Sequence, residues 1–160
     1  MSDIRTDKLL TVYFIISILI MGFIFVQSSL PADVSMRESS FLVPFVRNLF
    51  KIDAESASTI IRKFAHFIEY GFLGASLTLT ANRFWITEPP KQCGLNAFII
   101  GSIYSMTDEL HQVFVDGRSC EFRDIMIDMG GVLFGVLIVC FILYALEKKK
   151  KAREKELCGT

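Results

Sequence analysis

The four cysteines, Cys93, Cys120, Cys140 and Cys158, include no Cys-x-x-Cys pair. That spacing leaves the zinc knuckle and the thioredoxin-like redox motif without support. Leu157-Cys158-Gly159-Thr160 puts the last cysteine third from the end, not fourth as prenylation requires. Internal repeats are absent, and the one low-complexity tract is the run Lys148-Lys149-Lys150-Lys151. Net charge is zero, with 17 basic and 17 acidic residues, and 160 residues leave no room for a separate enzyme module.

Apolar residues are plentiful: 52% of the chain is hydrophobic, and its mean hydropathy is +0.46. An ordinary soluble domain is less apolar than this. The run Leu9 to Val26, preceded by Arg5 and Lys8, exceeds the roughly 7–15 residues of a signal core and approaches the ~20 that span a bilayer, so an uncleaved span is expected. The whole chain is read as one domain, an all-α integral membrane bundle of four transmembrane helices at about 8–29, 63–82, 94–113 and 122–146. A basic cytoplasmic tail, 147–160, follows. Between the first two spans the chain turns polar, and Phe41 to Phe50 is too short to cross. It suits an interfacial helical segment in the first outer loop. The stretch from Asp53 begins with a capping residue and carries Glu55 in its first turn, which fits a helix running directly into the second span.

Orientation follows from the basic residues. Arg5 and Lys8, then Arg83 and Lys91, then the lysine-rich tail fall on one side of a four-span chain, which is expected to be cytoplasmic. Beside an apolar helix such a tail marks a membrane flank, so no nucleic-acid partner is expected. The cysteines then fall in an inner loop, an outer loop, a helix interior and the tail, and no disulfide is expected.

With this topology His66, Glu69, Asp108, Glu109, His111, Gln112, Arg118, Asp124 and Asp128 converge near the outer surface from three parts of the chain. His66 and Glu69 lie at i, i+3, and Asp108/Gln112 and Asp124/Asp128 at i, i+4, so each pair shares a helix face. A charge in mid-helix costs about 2.5–3.5 kcal/mol to insert. Five carboxylates near the helix ends therefore call for a polar cleft or for one another. Asp124, Asp128, Gly131 and Gly135 also share a face, and the Gly-x-x-x-Gly pair permits close helix approach there, which turns the acids inward.

The segments His66-Phe67-Ile68-Glu69-Tyr70, Asp108-Glu109-Leu110-His111-Gln112, Gly117-Arg118 and Asp124-Ile125-Met126-Ile127-Asp128-Met129-Gly130-Gly131 resemble the VanZ-like membrane proteins. The resemblance runs from the second half of the first loop to the end of the fourth helix, and many members have asparagine where this chain has Asp128. It implies a multi-pass envelope protein of Gram-positive bacteria linked to glycopeptide or lipoglycopeptide (teicoplanin-like) resistance. Membrane lipids and lipid-linked cell-wall precursors or lipoglycopeptides are the partners that follow.

Two roles for the polar residues stand side by side. One is a hydrogen-bonded network joining helices, the common use of polar side chains in membranes. The other is a functional cleft, with His66, Glu69, Asp108 and Glu109 as candidate acid/base residues of an enzyme acting on a lipid-linked or headgroup substrate. In that cleft His111, Gln112, Arg118, Asp124 and Asp128 would hold the ligand. No cofactor is expected. The helix carries His-x-x-Glu, not the zinc-protease His-Glu-x-x-His, but a histidine among carboxylates is compatible with a divalent metal. Arg118 either neutralises the acids or meets an anion such as a lipid phosphate.

Overall fold

The computed structural model describes residues 2–31, 41–118 and 120–158. Among them there are five helices and no strand: α1 Ser2–Ser28, α2 Val43–Phe50, α3 Ala54–Phe84, α4 Pro90–Gln112 and α5 Phe122–Cys158. The polar part of the first loop at 32–40, the side chain of Cys158 and residues 159–160 lie outside the described residues.

Each boundary has a local cause. Asp53 caps α3, accepting from the Ser56 amide at 2.8 Å and the Ser56 hydroxyl at 2.7 Å. The helix then continues without a break through the expected start of the second span. Pro90, whose missing N–H is harmless in a first turn, opens α4 four residues before the expected position. Cys93 consequently sits in the first turn of α4 and is fully buried, which corrects its expected place in an inner loop. Helix α5 runs on through the basic tail, where Lys150 and Glu154 pair at 3.9 Å across one turn. Lysine, glutamate, alanine and arginine are strong helix formers, and no glycine or proline interrupts them before Gly159. Cys93, Cys120 and Cys140 are free thiols.

The core draws on four helices: Ile24 of α1, Tyr70 and Leu73 of α3, Ala97 of α4, and Val132 and Val136 of α5. Short α2 rests against α3 with no buried residue, and Phe45, Leu49 and Phe50 remain exposed. The outside of the bundle is apolar. Lys8–Ser28 and Phe122–Glu156 are long and apolar enough to cross a membrane. Helices α3 and α4 also turn stripes outward: Ile60, Phe64, Ile68 and Phe72 on one, Leu95, Ile99, Ile103, Met106 and Leu110 on the other. Their composite hydropathy is lowered by what they bury, namely Ser58, Ser76 and Thr78 on α3 and Ser102, Ser105, Asp108, Glu109 and Gln112 on α4.

Helices α3 and α5 pack backbone against backbone. A β-carbon on Gly135 would overlap the Gly71 carbonyl oxygen and reach the Ala75 nitrogen at 2.8 Å. One on Gly131 would overlap the Phe67 carbonyl, and one on Gly74 would lie 2.9 Å from the Val132 carbonyl carbon. These are backbone atoms and cannot swing aside. Gly135→Ala and Gly131→Leu should therefore each destabilise the bundle by about 1–3 kcal/mol or more, read as thermal unfolding in detergent. Gly22 has nothing within 4 Å of an added β-carbon, so Gly22→Ala should be neutral or stabilise by up to about 1 kcal/mol. Equal stability of Gly135→Ala and wild type would contradict the packing.

Candidate functional site

The last turn of α4, residues Gly117, Arg118 and Glu121 of the following loop, the second to fourth turns of α3 and the first turns of α5 line a cavity of about 330 Å3. Its lining includes Arg62, Lys63, His66, Glu109, Gln112, Arg118, Glu121, Arg123, Asp124 and Asp128. Gly117, at φ 73°, makes the turn that brings Arg118 back over the helix ends.

Three of the expected residues build the rim. Arg118 donates through Nε to the Leu30 carbonyl at 3.0 Å and through its two terminal nitrogens to the Gln27 carbonyl and Gln112 Oε1, both at 3.1 Å. A guanidinium here satisfies carbonyls at the C-terminal end of α1, where the helix dipole favours a cation. Burial, and after it the neighbouring Arg62, lower the Arg118 pKa from its ordinary value. Glu109 works at the opposite kind of end: its Oε1 accepts from the Glu121 amide at 2.9 Å, just ahead of α5. Asp124 is held by Lys63, whose ammonium also lies 3.6 Å from Glu121.

Beneath the cavity lies a buried cluster. His66 Nδ1 is 3.7 Å from Asp128 Oδ1, with Asp128 only 2% exposed. Asp108 accepts from the Ser28 hydroxyl at 2.7 Å and from Gln112 Nε2 at 3.4 Å. One nitrogen of His66 and one oxygen each of Asp108 and Asp128 lie within 4.8 Å of one another. Asp108 Oδ1, Asp128 Oδ2, Glu69 Oε2 and the Tyr70 hydroxyl are buried without a hydrogen bond of normal length, and the Tyr70 hydroxyl neighbours Asp108. Such atoms are rare in a finished interior and ask for an explanation.

The expected residues thus divide. His66, Glu109, Gln112, Arg118, Asp124 and Asp128 line the cavity, while Asp108 and Glu69 lie in the cluster behind it. His111 stands apart from the cavity lining. It stacks on Phe25 with centroids 4.6 Å apart and meets Ser29 Oγ at 3.1 Å. Sequence reading passed over Arg62, Lys63, Tyr70, Tyr104, Ser28 and Arg123. Arg62 and Lys63 precede His66 by four and three residues and Tyr70 follows it by four, so helical spacing carried the signal. Tyr104 stands four before Asp108 and donates to the Met21 carbonyl at 2.6 Å. Nothing local marks Ser28, whose partner is 80 residues away.

Lysine cannot replace the three-way guanidinium bridge. Arg118→Lys should lower stability by about 1.5–3 kcal/mol, the range for hydrogen bonds to a charged group. Denaturant unfolding in detergent checks this, and an unchanged midpoint would show that the bridge is not made.

A family model described as VanZ/LLP1 matches residues 13–144, a range that contains the cavity lining and the whole buried cluster. No curated protein and no solved structure gives a significant match. The chain belongs to the VanZ/LLP1 family.

Proposed function

We propose that this chain is a four-span protein of the bacterial cell membrane that lowers susceptibility to teicoplanin-like lipoglycopeptides. It does so by holding the anionic head of a lipid-linked precursor, or of the lipoglycopeptide itself, in its cavity. The observation that carries this reading is Arg62. It lines the cavity, makes no hydrogen bond or ion pair among the described residues, and acts electrostatically on Arg118. Two neighbouring guanidiniums repel each other, and an anion between them removes the repulsion while meeting free N–H donors. Exposed Arg123 is a further cation on the lining, without a hydrogen bond or ion pair among the described residues. Family membership supports the link to resistance.

Four spans are inferred from the outward apolar stripes of α3 and α4 alongside the two strongly apolar helices. Together with the basic flanks, this supports a topology with both termini in the cytoplasm and the cavity outside. Cys120 is exposed beside the cavity, and Glu88 is exposed in the turn between α3 and α4. An impermeant maleimide should label Cys120 in intact cells. Glu88→Cys, made in a chain with Cys120→Ser, should label only after permeabilisation. The reverse pattern would put the cavity in the cytoplasm and end the resistance reading.

Function is tested by teicoplanin susceptibility in a host lacking its own copy, with protein levels read by immunoblot. Arg62→Gln should return susceptibility to that of the empty vector while melting temperature stays near wild type, since Arg62 has no protein partner to lose. Glu109→Gln keeps the acceptor for the Glu121 amide, and His66→Gln keeps hydrogen-bonding capacity. Both should also lose protection. Full protection by all three variants would refute the cavity as the working site.

A further inference from the structure

We propose that His66, Asp108 and Asp128 form a binding site for one divalent metal ion, with Glu69 as a further carboxylate beside it. The inference does not rest on the anion reading of the cavity. It starts from charge and unspent valence. Three carboxylates interact here with a single imidazole, and Glu69 experiences the charges of His66, Asp128 and Asp108. Asp108 and Asp128 are 3% and 2% exposed, yet each keeps one buried oxygen with no partner, as does Glu69.

None of the nearby fixed cations is paired with these carboxylates. Arg118 donates to two carbonyls and Gln112, and Lys63 pairs with Asp124 and Glu121. Arg62 lines the cavity and shows no bond to the cluster. Removing carboxylates from water without compensation is strongly unfavourable. A metal ion supplies compensation and takes up the open lone pairs in one step.

The donor positions suit this. One atom from each of the three residues lies within 4.8 Å of the other two. Ligand atoms at about 2.0–2.2 Å from a shared ion stand roughly 3–4.4 Å apart, so small side-chain rotations close the site. Imidazole nitrogen with carboxylate oxygen favours Zn2+ or Mn2+ over Ca2+, which takes oxygen alone. His66 and Asp128 also line the cavity, so an ion has a route in. The three ligands come from α3, α4 and α5, and Ser28 of α1 bonds Asp108 from behind. An ion there cross-links the bundle at its polar end.

The test uses full-length protein purified in detergent, stripped with EDTA and titrated with MnCl2 or ZnCl2 alone. Wild type should bind about one ion per chain and melt higher with metal, reversibly on adding EDTA. The Mn2+ electron spin echo should show imidazole-nitrogen coupling. Asp128→Asn and Asp108→Asn should weaken binding at least ~10–100-fold, taking the loss of an outer-shell partner as the lower bound. His66→Gln should erase the nitrogen coupling. Arg62→Gln should bind the ion as wild type does, which separates this site from the anion-holding role of the cavity. If the asparagine variants do not fold, the wild-type titration and its nitrogen coupling decide. No saturable binding of either ion to folded wild type would overturn the site, as would binding unchanged by His66→Gln. In either case the cluster is a hydrogen-bond network closed by shared protons.

Discussion

Helices α3 and α5 approach until their backbones touch, because Gly71 and Gly74 on one side face Gly131, Val132 and Gly135 on the other. That approach sets the position of everything at the polar end. His66 stands five residues before Gly71 on α3 and Asp128 three before Gly131 on α5, and these two side chains meet only because the glycines below them let the helices close. Lys63 and Asp124, one turn further out on the same two helices, pair for the same reason. Widening the α3–α5 contact by one methyl group therefore strains the core and separates the cluster together.

The bundle inverts the usual distribution of polarity. Leu19, Phe72, Phe134 and Phe141 are more than half exposed, while Asp108, Glu109 and Asp128 are almost fully buried. A hydrocarbon solvent accounts for both halves of that pattern. It welcomes the phenylalanines and drives carboxylates toward one another and toward serine, tyrosine and backbone donors. The serines and threonines along the interior mostly return their hydroxyls to carbonyls in the preceding turn, as Thr78 does to Gly74 at 2.7 Å. Ser17 reaches further, to Ser76 at 3.1 Å, and ties α1 to α3 well away from the cluster.

Much of this was legible in the sequence. Apolar runs and helical spacing located the helices, and of the face expected to point inward, Asp124, Asp128, Gly131 and Gly135, the last three are buried while Asp124 stays 26% exposed beside Lys63. Two things were not legible. Boundaries moved where local helix preference outweighed hydropathy, so α4 begins at Pro90 and α5 continues through its lysine- and glutamate-rich tail. Long-range partners had no local mark. The contacts of Arg118 with Gln27 and Leu30, and of Ser28 with Asp108, join segments 80 or more residues apart, and pairwise spacing along one helix carries no trace of them.

Ionisable residues in a membrane helix are functional candidates by default, and by that rule Glu109 and Asp124, with Arg118 in the loop between their helices, rank with His66, Asp108 and Asp128. Hydrogen-bond valence separates them. Glu109 occupies the positive end of α5 and Arg118 the negative end of α1, each matched in sign to the helix dipole it meets. Asp124 is paired with Lys63. These three hold the rim in place, and the polar atoms they bury are satisfied. Asp108 and Asp128 are buried about as deeply as Glu109 yet keep open lone pairs, and Arg62 lines the cavity with no hydrogen bond or ion pair among the described residues. The helix ends at the rim are satisfied, while among the described residues unmatched buried carboxylate oxygens of Glu69, Asp108 and Asp128 gather a few residues away, next to the cavity.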